Sequence, residues 1–565
     1  MKRLPVHLLL TAVTLIFTIG GLNLTALLDW DELIFAESAR EMVISNNWLY
    51  NQIGFEPFWE KPPLFIWLQA ISFSIFGELQ AWVFKIPNVL AAVFVVNFAY
   101  HFGDKMGKRM LGAFWSLSLL FTFIPFIYWR SGLIDPIFNL FIVLALYQWH
   151  NITQAYLKEE RTPLYYLLLG VFLGLAFLTK GPVGMVISGL VILIVTINNG
   201  KWHLIFSPQI LISILGLCGV LAIWVLPLLQ SNGSEFFIKF LDYQLILLKG
   251  QYFEWHNHPW YFHLLVLFFL AFPASILGLP HLFKNQIMDR NVEDWHSIMR
   301  VLFWVVLIFF SIVSTKLIHY SSLCWWPLTY FGAYQAYVVH TNRWKYPYIL
   351  NLGIFLSGLG IAIVLWAIPL LVIHQPLIST LKIPLDAFTS SILNDSPIWD
   401  WTAFIPASLF TVWWMYWLLL SLLKNSPSPA YLYLISGITA FIAAITLLPK
   451  ISDTLQGNLN RMIKTEVKKG HFVETWYFKT HSLYFYGRFT PEDFKNLNPE
   501  WPAPKDEWYP KQSNRRSHAQ NPIKNGKNIR VITRCDWDAD YFFKEKFTPE
   551  MQLSGYILWK PKSMH

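Results

Sequence analysis

Apolar runs of about 20 residues recur along most of this chain, the length a helix needs to cross the hydrocarbon core of a bilayer. With no water there to satisfy backbone N–H and C=O groups, such runs fold as helices, and a polytopic α-helical membrane protein is expected. The balance of 55% hydrophobic against 14% charged residues agrees, as does a mean hydropathy of +0.42. Polar interruptions place spans at about 7–28, 83–102, 110–128, 132–150, 164–180, 182–199, 208–229, 260–283, 299–315, 320–340, 346–373, 402–423 and 430–448, about thirteen in all. The 28 Trp and 25 Tyr suit a chain with many membrane–water boundaries, where amphipathic rings settle.

The first apolar segment follows Lys2 and Arg3, but its core is too long for a signal peptide and lacks a small-residue cleavage site, so it reads as an uncleaved span. Placing Lys2 and Arg3 inside puts Lys105, Lys108 and Arg109, Lys158 and Arg161, Lys201, Lys284 and Arg290, Arg343 and Lys345, and Lys424 inside as well. The first loop, the loops around 230–259 and 374–401 and the tail after Pro449 then face outward. Cys218, Cys324 and Cys535 give neither a disulfide framework nor a CxxC metal site. The net charge of +9 is accounted for by cytoplasmic basic loops and a basic tail near anionic headgroups, with no nucleic acid needed.

Two domains are expected: a transmembrane domain over residues 1–448 and a soluble α/β domain over 449–565. In the tail, Phe472 to Phe478, Ser482 to Tyr486, Ile529 to Thr533 and Tyr556 to Trp559 read as strands, and Pro502 to Lys527 as an exposed loop or linker.

The first outer loop carries unusually dense charge: Asp29, Asp31, Glu32, Glu37, Arg40 and Glu41, then Glu60-Lys61-Pro62-Pro63. From Asp31 to about Ser45 the pattern predicts a short amphipathic helix in the interface, with Glu37 and Arg40 three apart and able to pair. A second short apolar helix, interfacial or re-entrant, is expected from Pro63 to about Phe76. The bland alternative is that these charges only keep a loop in water.

The ordered series Asp31-Glu32, Phe35-Ala36-Glu37, Ala39-Arg40-Glu41-Met42, Trp48, Glu60-Lys61-Pro62-Pro63-Leu64, Trp67, Phe76-Gly77 and Trp82 resembles the first outer loop of GT-C class membrane glycosyltransferases. It is similar to that of the lipid A aminoarabinose transferases and of bacterial protein O-mannosyltransferase-like enzymes. Asp135-Pro136, Leu178-Thr179-Lys180-Gly181-Pro182, His256 before Pro259-Trp260-Tyr261, and Thr315-Lys316 before His319-Tyr320 extend the likeness over most of the membrane region.

The resemblance implies a GT-C fold in a bacterial inner membrane, with the active site and tail on the periplasmic face. The implied activity is transfer of a sugar from a polyprenyl-phosphate donor lipid to an envelope lipid, glycan or protein. Such transfer needs a base for the acceptor hydroxyl and positive charge for the departing phosphate. Asp31 is the expected base and Asp135 the second carboxylate; Asp135 could equally be a partner for Arg130. Lys61, with Lys180, Arg130, Lys316 and Tyr320, is expected at the donor phosphate; the other cations could instead be snorkelling span ends. Glu32, Arg40, His258 and His319 are expected to line the site.

Some aminoarabinose transferases hold a divalent metal at positions matching Glu60 and His256, which makes zinc a candidate cofactor here; two protein ligands leave its shell unfinished, and His258 competes with His256. Ile34 stands where those enzymes carry Arg, which removes one implied phosphate contact. The outer loop from Glu235 to Trp255 is the expected place for substrate recognition. Other classes remain open: a transporter or flippase of a lipid-linked saccharide, or an assembly protein that binds through its tail. Against transport, no internal repeat is evident and the charges gather on one face.

Overall fold

The computed structural model describes residues 3–562 except 78, 161–162, 233, 250–257, 284–291, 314–315, 343–347, 383, 396–398, 424–426, 477, 494–527 and 538–540. Seven described helices are long and apolar enough to cross a membrane: Val83–Lys105, Pro163–Lys180, Ile210–Ser231, Glu293–Ile312, Tyr348–Ile373, Trp401–Leu422 and Pro429–Thr446. An eighth is obtained if Arg109–Phe121 and Phe123–Trp129, which meet at 71°, count as one span. Helices also occupy the remaining expected stretches, Arg3–Ile19, Asp135–Leu157, Val183–Asn198, Phe262–Leu270 with Ala274–Phe283, and Trp325–Asn342. Of these, Pro5–Ile19, Val183–Asn198 and Ala274–Phe283 are apolar but short. The chain is thus a multi-pass membrane protein by its apolar helices.

The two broken stretches have a common cause. Pro125 lacks the N–H that would continue the helix through Thr122, whose ψ of 134° marks the break. Pro273 plays the same part after Ala271. The breaks then satisfy each other, because Phe272 C=O accepts from Phe123 N–H at 3.0 Å. Ser436 Oγ donates to the same carbonyl at 3.2 Å.

The first expected span is helical only to Ile19. Beyond it the chain turns into the Asp31–Ile44 helix, which is buried without interruption from Glu32 to Met42. An interfacial amphipathic helix would leave one face wet, so that expectation is corrected. The missing wet face is covered by the C-terminal region: the Asp31–Ile44 helix packs against the helix Ser482–Gly487, and Arg40 reaches the carbonyl of Phe489 at 3.0 Å. A small hairpin, β1 (Gln52–Ile53) and β2 (Glu56–Pro57), follows. Its turn is held by Glu41, whose carboxylate accepts from the N–H groups of Gly54 and Phe55, both at 2.7 Å. The second short helix, Leu64–Phe76, starts after Pro62-Pro63 and ends at Gly77 in the left-handed region.

Past Pro429–Thr446 the chain stays helical through Leu448–Ser452, a π-helical stretch Asp453–Gly457 and Asn458–Lys468, so position 448/449 falls inside a helical run. Among the described residues four strands follow: β3 (Phe472–Thr475), β4 (Ile529–Arg534), β5 (Phe547–Leu553) and β6 (Tyr556–Pro561). They form one sheet in the order β3-β4-β6-β5. β3 runs parallel to β4, and β4–β6 and β6–β5 are antiparallel. Ser482 to Tyr486, expected as a strand, lies in the helix Ser482–Gly487. Its aromatic residues favour strands, but their burial against the first-loop helix overrides that preference. The expected linker Pro502 to Lys527 lies wholly outside the described residues. Leu483, Phe485, Ile532 and Leu558 share one hydrophobic core with Phe35, Phe84 and the bundle helices.

Candidate active site at the head of the helix bundle

Asp31, Asp135, Lys180, His319 and Lys61 come from five separate segments and converge. Asp31 opens its helix and keeps a side chain 35% exposed, so its carboxylate can meet a substrate. His319, in the 3-10 turn Ile318–Cys324, holds Nε2 3.9 Å from Asp31 Oδ2. Burial keeps this imidazole below its usual pKa; Asp135 opposes that, Lys180 adds to it, Asp31 opposes it and Lys61 adds to it. His319 is therefore neutral near pH 7 and able to accept or donate a hydrogen bond.

Asp135 begins the Asp135–Leu157 helix with Pro136 behind it, and Lys180 is the last residue of Pro163–Lys180. Their side chains meet at 2.6 Å between Lys180 Nζ and Asp135 Oδ1. Asp135 Oδ2 is buried and has no hydrogen-bond partner among the described residues, leaving it open to a donor from a bound molecule. Lys180 Nζ also lies 5.7 Å from the Tyr320 ring centroid and 5.6 Å from that of Phe138. The alternative pairing of Asp135 with Arg130 is not made.

Gly181 explains why the chain can turn here. It adopts φ +87°, and a Cβ on it would sit 3.1 Å from the Phe240 ring. Phe240 belongs to Glu235–Lys249, a helix where an outer loop was expected. This helix roofs the Glu60-Lys61 turn: Gln244 Nε2 donates to Glu60 C=O at 3.4 Å, and Lys61 Nζ lies 5.8 Å from the Tyr243 ring centroid. Lys239 sits over Trp59 at 5.1 Å. Lys61 is thus held beside the cluster by its own turn, where Asn51 Nδ2 donates to the Lys61 carbonyl at 2.7 Å.

Three expected site residues have other work. Arg130 donates to the carbonyls of Phe17, Thr18 and Gly20 at 2.6, 2.9 and 2.7 Å, which caps the C-terminal end of the first helix rather than meeting a phosphate. Arg40 is buried and gripped by Glu37 through two bonds of 2.8 and 2.7 Å, so it braces the helix instead of lining the site. Glu32 accepts from Leu28 N–H at 2.8 Å and from Gly132 N–H at 2.5 Å. It thereby ties the segment leading into Asp135 to the helix that bears Asp31.

Lys316 is buried and donates to the Val313 carbonyl at 2.8 Å. His258 stacks on Phe262 at 4.4 Å. Between them is a residue that sequence reasoning missed: His263 is fully buried, with both ring nitrogens lacking partners among the described residues, within electrostatic reach of Lys316, His319 and His258. An imidazole in the first turn of an apolar helix was the available signal. The other omission is the latch beside Asp31. Asp29 accepts from Thr480 Oγ1 at 2.6 Å and His481 N–H at 3.1 Å, and burial raises its carboxyl above the usual range while these two bonds and Lys479 pull it down.

Zinc calls for about four ligands. Among the described residues no group of three or more His, Cys, Asp or Glu is placed to hold a metal, and His256 lies outside the described residues. No chemical step is assigned to a metal.

The chain resembles known proteins in sequence and in fold. The sequence profile described as "Dolichyl-phosphate-mannose-protein mannosyltransferase" matches residues 60–226. A protein of Pseudomonas savastanoi pv. phaseolicola named "Undecaprenyl phosphate-alpha-4-amino-4-deoxy-L-arabinose arabinosyl transferase" is 28% identical over 55% of this chain and 57% of its own length. A Wigglesworthia glossinidia brevipalpis protein of the same name is 25% identical over 58% of each. The matched region thus spans under two thirds of these relatives. The crystal structure of ArnT from Cupriavidus metallidurans in the apo state superposes with a TM-score of 0.72 at 17% identity, covering 98% of this chain and 97% of that one. Its form bound to undecaprenyl phosphate gives a TM-score of 0.71 at 16% identity, over 100% and 99%. The chain therefore has the fold of ArnT and is aminoarabinose transferase-like in sequence.

Proposed function

We propose that this protein is a membrane glycosyltransferase that moves a sugar from a polyprenyl-phosphate donor to an envelope acceptor, lipid A being the acceptor that the aminoarabinose transferase likeness favours. The observation that carries the reading is the meeting of a half-exposed carboxylate, Asp31, with the Asp135–Lys180 pair at 2.6 Å and with Lys61 and His319, at the head of a bundle with the ArnT fold. The reaction face is the outer, periplasmic side of the inner membrane, about thirteen spans form the bundle, and residues after 448 form an outward-facing α/β domain, as the basic loops and the apolar runs imply.

In the proposed reaction the acceptor oxygen attacks the anomeric carbon of the donor sugar, and Asp31 takes the acceptor's proton. The bond from the anomeric carbon to the phosphate oxygen breaks, and its electron pair leaves with the polyprenyl phosphate. Lys61 and Lys180 stabilise the negative charge gathering there. Asp135 fixes Lys180, and its free Oδ2 is placed to accept from a sugar hydroxyl. His319 Nε2, 3.9 Å from Asp31 Oδ2, can hydrogen-bond an acceptor oxygen held at Asp31.

The test uses purified full-length protein in detergent, where transport across a membrane has no meaning. Wild type should convert a polyprenyl-phosphate sugar and lipid A to product, and Asp31→Asn should lose at least about a hundredfold in kcat. Near wild-type turnover in Asp31→Asn would remove Asp31 as the base. No transfer by wild type from any polyprenyl-phosphate sugar would remove the transferase reading.

A further inference from the structure

Beside the Asp29 latch the C-terminal region presents positive charge that the reaction above does not use. On the Asn458–Lys468 helix, Lys464 and Lys468 are four residues apart and share one exposed face. Arg488 is exposed at the end of the Ser482–Gly487 helix, at φ 55°, a conformation that favours glycine. Neighbouring cations are neutralised: Arg461 pairs with Asp453 at 2.6 Å and Lys469 with Glu466 at 2.7 Å. Lys464, Lys468 and Arg488 have no carboxylate in salt-bridge range among the described residues.

The patch adjoins the candidate site. Lys464 Nζ lies 4.2 Å from the Tyr486 ring centroid, and Tyr486 is within electrostatic reach of Glu32 and Asp29, the neighbours of Asp31. Lys479 extends the positive surface by sitting 4.8 Å over Trp30. Partial burial of the Lys464 amine, then the charges of Arg488, Lys468 and Arg461, hold it below the usual lysine range, so an arriving anion relieves repulsion already present.

We propose that Lys464, Lys468 and Arg488 form an anion-binding patch that seats the phosphate groups of a phosphorylated acceptor lipid, bringing its hydroxyl or phosphate oxygen toward Asp31. This rests on the transferase reading and names how that site selects its acceptor. Lipid-borne phosphate is the shared chemistry of such an acceptor and of anionic bilayer headgroups; the link through Tyr486 to Glu32 and Asp29, the chain neighbours of Asp31, favours the acceptor.

The experiment compares wild type with K464Q/K468Q and with R488G, the latter removing charge while suiting the left-handed backbone. The probes are bisphosphorylated lipid A, its dephosphorylated form, and nanodiscs of phosphatidylcholine with or without phosphatidylglycerol. Both variants should raise KM for bisphosphorylated lipid A by roughly tenfold, with kcat and donor KM unchanged. Binding of that lipid without donor should weaken by the same factor, and the dephosphorylated lipid should show no difference between the proteins. An unchanged KM, an equal loss with the dephosphorylated lipid, or a loss seen only in anionic nanodiscs would overturn the assignment. If wild type performs no transfer, the transferase reading fails, and the donor-free binding measurement still decides the patch.

Discussion

Lys180 Nζ stands 2.6 Å from Asp135 Oδ1, joining the last residue of one helix to the first residue of another. The acid is buried and the amine nearly so, so neither charge is well served by water. Removing only the lysine strands a buried carboxylate. Lys180→Met is expected to destabilise the protein by about 3–5 kcal/mol, while Lys180→Met with Asp135→Asn recovers much of that loss and stays inactive. A double-mutant cycle on thermal unfolding in detergent, with transfer assayed in parallel, measures both; additive stability effects would refute the pairing.

Arg130 offers a contrast, because its guanidinium serves three backbone carbonyls of the first helix end. Arg130→Met should lower stability by about 2–4 kcal/mol. The protein that remains folded should keep its donor KM, and a donor KM raised severalfold would instead return Arg130 to the phosphate site.

Gly181 turns the chain where Lys180 must point inward. With φ +87° and the Phe240 ring 3.1 Å from a would-be Cβ, Gly181→Ala strains the backbone and presses on the roofing helix. A stability loss of about 1 kcal/mol or more and a several-fold fall in kcat are expected. Unaltered kcat would show that the turn does not set the lysine.

Glu466 gives the C-terminal region an acid-sensitive anchor. Burial works against its ionised form, yet hydrogen bonds from Lys469 and His471, both at 2.7 Å, and their charges hold its carboxyl below the usual range. Since the folded pKa lies below the unfolded one, the stabilisation is present above the unfolded value of about 4.5 and is lost as pH falls through the folded value. Glu466→Gln should make the region more susceptible to protease at pH 7 and flatten its response to acid as pH falls below about 4.5. A wild-type protein whose protease resistance is constant over that interval would contradict the linkage.

The motif residues that stand at helix ends were legible because their neighbours are punctuation. Asp135-Pro136 opens a helix and Lys180-Gly181-Pro182 closes one and starts the next, signals set by backbone chemistry within a few residues. Arg130, Arg40 and Glu32 look the same in sequence as cations and acids of a site, yet each meets partners far away in the chain or buried beside it. Phe17 to Gly20 lie over a hundred positions from Arg130, and no local pattern announces such a partner.

The apolar run lengths by themselves determined that this is a multi-pass helical membrane protein, because runs of about 20 apolar residues match a helix that bonds its own backbone across a bilayer, where a strand needs only about 10. The first-loop charges stood out as a candidate site because so many ionisable groups beside membrane spans are costly without a partner or a use. Only the tertiary structure decided which of them face the pocket. It sank the first-loop helix beneath the C-terminal region, turned Ser482–Gly487 into a helix and folded Glu235–Lys249 over Lys61. These outcomes depend on burial against distant segments, and a side chain's role follows from the partner that burial supplies.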